Sequence, residues 1–140
     1  MEIQKNEPRE GQYSYTEITR EIEVTVSPAF VPEKSNPHQN YFLFSYRVSI
    51  RNLSPTKVKL LNRHWLITDG NGRTEEVVGS GVIGVQPDID AGQEFSYTSA
   101  CPLHTPTGNM RGHYEIINSG GERFRVRIPL FFLRHPSTFH

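Results

Sequence analysis

This chain of 140 residues has one cysteine, no net charge and no long apolar run. Because Cys101 has no second cysteine to pair with, an intramolecular disulfide is excluded, and its apolar surroundings predict a buried, inert thiol. No apolar stretch approaches the roughly 18–20 residues that a membrane-spanning helix needs. The polar N-terminus lacks the apolar core of a secretion signal, so we expect a cytoplasmic protein without a membrane partner.

A surplus of positive charge is also missing, since 15 basic side chains balance 15 acidic ones. Nucleic-acid binders meet phosphates with such a surplus, so we expect no nucleic-acid partner. The densest basic stretch, GERFRVRIPLFFLRH, alternates arginine with apolar residues. That alternation indicates the polar face of one strand and lacks the exposed aromatic platform of an RNA-binding surface.

Catalytic and metal-binding motifs are absent as well. The sequence contains no G-x-S-x-G motif and no paired-carboxylate signature, so we expect a protein that is not an enzyme. None of its six histidines has the spacing H-x-H or H-E-x-x-H. This predicts no dedicated metal site and no cofactor, while weak binding of Mg²⁺ or Co²⁺ at the sparse acidic segments stays open.

What the sequence does contain is alternation of period two, which predicts β-strands. The clearest strand has an apolar face formed by every second residue from Phe42 to Ile50. A change of phase within VKLLNRHWLITD predicts a β-bulge near Leu60–Leu61. No segment has helical periodicity. The pattern predicts an all-β fold, an immunoglobulin-like or fibronectin type III-like sandwich of about seven to eight antiparallel strands.

The same pattern divides the chain into a flexible tail over residues 1–16, one β-sandwich domain over residues 17–135, and a C-terminal tail over residues 136–140. Within the domain, the proline-rich segment SPAFVPEKSNPHQN and residues 79–92 are predicted to be loops. Pro129 cannot donate to a sheet ladder, so the last strand is either an edge strand there or ends there.

Residues 79–84 read GSGVIG, the G-x-G-x-x-G spacing of dinucleotide-binding loops. That motif requires a helix to start at its third glycine, and Pro87 leaves no room for one. Acidic residues follow closely and would repel a phosphate. We therefore favour a structural or interface loop. The alternative is an anion site formed by main-chain N–H groups, with these residues as candidates: Gly79, Ser80, Gly81, Gly84 and Arg73.

Arg63 and His64 directly precede Trp65 and are candidates for a recognition surface. The alternative interpretation makes Trp65 a core residue and leaves both polar side chains solvated or hydrogen-bonded, because tryptophan is mostly buried in folded proteins.

Several motifs are specific in combination: R-x-W-x-I-T-D, G-x-G-V-x-G-x-Q-P, F-x-Y-T-S, T-P-x-G-x-M-x-G-x-Y and F-x-V-x-I-P. Together they resemble the ApaG family from about Val24 to Leu133. One departure is Ala91, where the family commonly has proline before a turn glycine. The resemblance implies a fibronectin type III-like sandwich. It transfers no catalytic residues.

The resemblance also implies a biological setting. Bacterial members stand alone, are linked to cobalt and magnesium tolerance, and are encoded near a diadenosine-tetraphosphate hydrolase. Related eukaryotic domains are attached to F-box proteins and to a polymerase-associated protein. We therefore expect a non-enzymatic interaction module with an unknown protein partner, monomeric or weakly dimeric, with only an indirect part in cation tolerance. The alternative is a protein that binds pyrophosphate or a dinucleotide polyphosphate at GSGVIG.

Overall fold

The computed structural model describes residues 13–136. Within these residues the chain forms the following strands in order: β1 (Tyr15–Thr19), β2 (Ile22–Phe30), β3 (Phe42–Asn52), β4 (Val58–Asp69), β5 (Thr74–Ser80), β6 (Asp88–Ile89), β7 (Glu94–Leu103), β8 (Thr107–Asn118) and β9 (Arg123–Arg134). Two 3-10 turns, Pro32–Lys34 and Pro37–Gln39, lie between β2 and β3.

The strands form two antiparallel sheets. One has the order β1-β2-β3-β7; the other has the order β5-β4-β8-β9, with the short β6 added beside β4. The apolar faces of the two sheets meet in one core, which is the arrangement of a β-sandwich. The predicted fold class is confirmed.

Trp65 lies at the centre of this core and is 3% exposed. Its ring contacts the rings of Tyr46 and Phe131, with centroids 5.4 and 5.9 Å away. Tyr46 belongs to the opposite sheet, so tryptophan and tyrosine join the two layers. The core interpretation of Trp65 is therefore confirmed. The predicted bulge is confirmed too, because the register of β4 against β8 shifts between Leu60 and Asn62.

Proline interrupts the strands less than the sequence predicts. β2 runs through Pro28 to Phe30, although the segment from residue 27 onward was expected to be a loop. β1 pairs with β2 only as far as Val26, so one side of β2 is open at Pro28 and can accommodate a residue without an N–H. Pro129 lies within β9, an edge strand, where the register against β8 shifts. The edge alternative is the one observed.

Two predicted boundaries also change. Tyr15 and Thr16 pair with β2 and are part of β1, so the domain begins inside the segment that was expected to be a tail. Residues 79–92 are not one loop, because β5 extends to Ser80 and residues 88–89 form β6. Burial of Ile89 to 2% exposure supplies the apolar contact that a strand of this length needs. The remaining tail predictions, for residues 1–12 and 137–140, lie outside the described residues.

The two sides of the sandwich differ. On one side β1 and β9 are tied together: the main-chain N–H of Arg127 donates to Thr19 Oγ1 at 3.2 Å, and the Arg127 guanidinium lies 3.4 Å from Glu17. Arg20 adds an ion pair with Glu122 at 2.9 Å. On the other side, a cavity separates the edges of β5 and β7. Among residues 13–136, no hydrogen bond or ion pair joins β5 to β7 across this cavity.

Gly112 allows a close approach of β4 and β8 in the second sheet. It pairs with Trp65, and a Cβ added to it would lie 1.9 Å from the main-chain oxygen of His64. Main-chain atoms inside a paired sheet cannot move aside without disturbing the ladder. The glycine is therefore required at the bulge that re-aligns β8 with β9.

We expect Gly112→Ala to lower the free energy of unfolding by about 3 kcal/mol or more, because overpacking a core usually costs about 1–3 kcal/mol and here the clash is with main chain. Urea unfolding measures the change. Gly120→Ala is the matched control, since a Cβ there would be in ordinary contact with Asn118 at 3.5 Å. Equal stability of the two variants would contradict this account of Gly112.

Candidate functional site

The segment GSGVIG begins as strand and ends as a tight hairpin. Val82 and Val85 exchange both main-chain hydrogen bonds, at 2.8 and 2.9 Å. Between them Ile83 and Gly84 have φ angles of 40° and 82°. Two central residues with positive φ define a two-residue turn of the I′ kind. The third glycine therefore serves a β-turn, and no helix follows it.

Three main-chain N–H groups of this hairpin already donate hydrogen bonds within the chain. Gly81 N donates to Leu61 O at 2.8 Å, and the N–H groups of Val82 and Val85 bond to each other's carbonyl oxygens. Gly81 has φ 62°, and a Cβ on it would lie 2.1 Å from Val85 O, so only glycine fits there. An anion cradle needs N–H groups that converge on open space. These three donors cannot provide one.

What lies against the segment is the guanidinium of Arg63. Its Nη1 donates to Ser80 O at 3.0 Å and to Gly81 O at 2.9 Å. The side chain passes over Gly79, where an added Cβ would be 2.7 Å from Nη2. Glycine at position 79 therefore makes room for the arginine. The segment presents carbonyl oxygens to a cation from its own chain, which is the opposite of a phosphate loop.

Arg73, expected near the glycines, lies elsewhere. Its N–H donates to Asp69 Oδ1 at 3.0 Å, in the turn between β4 and β5. The whole of β5 separates it from Gly81, which at about 3.3 Å per residue is roughly 26 Å. The anion site with Arg73 is therefore not assembled, and Arg63 takes the place beside the glycines.

Arg63 and His64 take part in two different clusters, because successive residues of a strand point to opposite faces. His64 lies on the outer face, with Nε2 2.5 Å from Glu76 Oε2 and its ring centroid 4.9 Å from that of His113. Burial, then Arg125 and His64, lower the pKa of His113, so this ring favours its neutral form.

Among residues 13–136 no group of three or more His, Cys, Asp or Glu side chains could hold a metal ion.

Exposed apolar side chains gather where β5 ends. Val78 is 67% exposed, Ile83 59% and Val85 47%. We call residues 78–85 the β5 corner. Among the described residues, other large exposed apolar side chains are distributed over β1, β9 and the connecting loops. The corner thus combines an edge strand, a tight turn and apolar surface.

Behind the β5 corner lies a cavity of about 400 Å³ between the two sheets. Its wall includes Tyr46, Trp65, Tyr97, Cys101 and Met110, all buried, together with the half-buried Arg63. Tyr97 and Tyr114 share a hydrogen bond between hydroxyl groups at 2.5 Å. Burial raises the pKa of Tyr46 and of Tyr97, and Arg63 acts in the opposite direction on both. The phenols therefore stay protonated near neutral pH.

A sequence profile of the ApaG domain matches residues 32–118. The chain belongs to the ApaG family. A Protein ApaG from Mesorhizobium japonicum is 48% identical over 124 residues, 89% of this chain and 95% of that protein. One from Agrobacterium fabrum is 48% identical over 122 residues, 87% and 94%. A solved structure of an ApaA protein from Bordetella pertussis has a TM-score of 0.81 at 45% identity, covering 84% of this chain and 95% of that one.

These matches confirm the resemblance that the sequence motifs predict. The names of the relatives state no activity, so the function of this ApaG domain has to be argued from its own geometry. No helix within residues 13–136 combines the length and apolar character needed to cross a membrane.

Sequence reasoning missed the cavity, because its wall comes from strands that are distant along the chain. One signal was present. Arg63 shares its strand phase with Trp65 and Ile67, and a charged residue in a core-facing phase has to find partners or a water-filled space. No signal marked the exposed side chains of Val78, Ile83 and Val85, because single apolar residues in strands and loops are ordinary.

Ile83 has an unusual conformation for a β-branched residue, and this gives a stability prediction. We expect Ile83→Asn to raise the free energy of unfolding by about 1 kcal/mol, because Asn-Gly is the preferred pair for a type I′ turn and a left-handed β-branched residue costs about 1–2 kcal/mol. Urea unfolding measures it. Val85→Asn, adjacent to the turn but outside its two central positions, should not stabilise. A loss of stability in Ile83→Asn would show that the isoleucine contributes needed packing.

Cys101 gives a prediction about pH dependence. Burial, with a smaller contribution from Glu75, raises its pKa to about 11. At pH 8 we expect iodoacetamide to react about a hundredfold more slowly with the native protein than with the urea-unfolded chain, whose thiol pKa is about 8.5. Mass spectrometry follows the reaction, and the native rate should keep rising through pH 10. Equal rates at pH 8 would place the thiol in contact with solvent.

Proposed function

We propose that this chain is a non-enzymatic, cytoplasmic protein-interaction module whose contact surface is the β5 corner. The observation that carries the proposal is the coincidence of exposed Val78, Ile83 and Val85 with the edge strand of the second sheet. Edge strands offer unpaired main-chain groups, and a partner strand can add to them while side-chain contacts supply specificity.

The other three edges are less suited to this role. β1 and β9 face each other and are joined by the Arg127 contacts with Glu17 and Thr19. β7 carries Pro102, which cannot donate a hydrogen bond to an added strand. β5 has no proline. Its acidic residues Glu75 and Glu76 discourage indiscriminate pairing, as charged edge residues commonly do, and favour a partner strand with basic residues.

The conformation of Ile83 supports the same surface. A β-branched residue at positive φ costs free energy that the fold has to offset elsewhere. Nothing in the turn itself requires an isoleucine there, since asparagine or glycine would form it more readily. An exposed isoleucine kept at this position is explained by a contact outside the chain.

The absence of enzymatic activity remains part of the proposal, and three groups support it. The Cys101 thiol is held protonated by burial, which removes its nucleophilic form near neutral pH. Tyr97 donates to or accepts from Tyr114 within the core. His64 faces Glu76 on the outer surface, away from both. His64 lies on the opposite face of β4 from the cavity that Cys101 and Tyr97 line, so it is not placed to act as their base.

The alternative, a pyrophosphate or dinucleotide-polyphosphate site at GSGVIG, receives less support. Its candidate N–H donors at Gly81 and Val82 bond within the chain, and the carbonyl oxygens of Ser80 and Gly81 face Arg63. A phosphate would meet those oxygens at close range. In the proposed role, the link of the family to cobalt and magnesium tolerance would operate through the bound partner.

The proposal is tested by quantitative capture from a lysate of the source organism on immobilised wild-type protein and variants. We expect at least one protein to lose about tenfold or more of its capture with Val78→Glu and with Ile83→Asn, because the loss of a hot-spot contact costs about 2 kcal/mol or more and tenfold corresponds to about 1.4 kcal/mol. Leu53→Asn is the matched control, because Leu53 is 46% exposed and lies outside the β5 corner.

Since Ile83→Asn should stabilise the fold, its loss of capture would not arise from unfolding. If every captured protein binds the two corner variants and the control variant equally well, the β5 corner is not the contact surface.

A further inference from the structure

The cavity between β5 and β7 has the composition of a small-molecule site. We propose that it binds a small aromatic monocarboxylate, with the ring against Trp65 and Tyr97 and the carboxylate on Arg63. This goes beyond the interaction function, because the ligand would occupy the interior of the sandwich while a protein partner would cover the β5 corner.

The size and wall of the cavity select an apolar ring. Its volume of about 400 Å³ falls within the roughly 300–1,000 Å³ of small-molecule sites, which are mostly apolar with a few polar groups. Trp65 and Tyr97 both line the cavity, where each keeps a small part of its surface exposed, 3% and 5%. Met110 and Cys101 add polarizable sulfur beside them. Aromatic ligands pack well against such a wall.

Arg63 selects the charge of the ligand. It makes no ion pair with any residue of the described range 13–136, and its hydrogen bonds there come from Nη1 alone. A guanidinium has five N–H donors, so Nε and Nη2 remain for an acceptor. A carboxylate is the acceptor whose two oxygens match that geometry. The carbonyls of Ser80 and Gly81 hold the guanidinium in place, so little ordering is needed on binding.

Glu75 limits the ligand to one negative charge. It also lines the cavity, at the end away from Arg63. In the register of β4 and β5, Arg63 pairs with Gly79 and Ile67 pairs with Glu75, a separation of about 13 Å along the strand at roughly 3.3 Å per residue. A second carboxylate reaching that end would meet Glu75 and be repelled. The ligand is therefore a monoanion.

The cavity is reachable from solvent. Ile83 and Pro102, on opposite sides of the opening, are both exposed, whereas the aromatic wall is buried. A ligand can enter past these two residues without opening the β1–β9 side of the sandwich.

Trp65 is the single tryptophan of the chain and reports on the site directly. Its emission is followed, with excitation at a wavelength the probes do not absorb, during titration of the full chain with 3-phenylpropionate. Two matched probes accompany it: 3-phenylpropionamide, which keeps the ring without the charge, and propionate, which keeps the charge without the ring. We expect a saturable change with 3-phenylpropionate and binding at least about tenfold weaker for both controls, because the amide loses the charge-assisted pair with Arg63 and propionate loses the apolar burial of the ring.

Variants locate the binding. Val77 lines the cavity, whereas its neighbour Val78 points to the other face of β5. We expect Val77→Phe to fill the cavity and abolish the response, and Val78→Phe to retain it. Arg63→Lys should weaken 3-phenylpropionate because an ammonium cannot form the paired hydrogen bonds.

The comparison of the three probes on the wild-type protein decides the proposal even if Val77→Phe does not fold. Absence of a saturable response to 3-phenylpropionate, or equal binding of the amide, would overturn it. Retained binding in a folded Val77→Phe variant would place the ligand outside this cavity and overturn it as well.

Discussion

The geometry around the β5 corner depends on the contact between the Arg63 guanidinium and the main chain of the glycine segment. The alternation of β4 directs the guanidinium toward the core, where a cation needs acceptors. The carbonyl oxygens of Ser80 and Gly81 supply them, at 3.0 and 2.9 Å. Glycine at position 79 leaves space for the side chain, and glycine at 81 permits the turn that follows. The glycine spacing thus accommodates an arginine, and its similarity to a nucleotide-binding fingerprint has no structural counterpart.

The sandwich is asymmetric, and this contact lies on one of its two sides. Opposite Arg63, β1 and β9 close their side with hydrogen bonds and ion pairs between exposed residues. Such pairs are individually weak, so that closure depends mainly on the packing beneath them. On the Arg63 side, β5 and β7 stay apart around a cavity. An edge strand, an apolar turn and a lined cavity therefore occur together on one side, and the candidate functions concentrate there.

The proposed binding roles also fit the protonation states of the buried side chains. The phenols of Tyr97 and Tyr114 and the thiol of Cys101 are kept in their neutral forms by burial. Neutral groups in an aromatic wall can hold a ligand by packing and by hydrogen bonds. Ile83, with φ 40° and a mostly exposed side chain, adopts an unfavourable conformation at the surface next to that wall.

The sequence by itself determined the long strands and their inward phases, the bulge at Leu60–Leu61 and the family, because alternation and turn chemistry are local properties of a chain. Only the tertiary structure decided which arginine reaches the glycines. Arg73 is nearer along the chain, yet Arg63 is the residue paired across the ladder. Likewise β6, the cavity and the open side arise from pairings between distant strands, whose register depends on packing that no local pattern records.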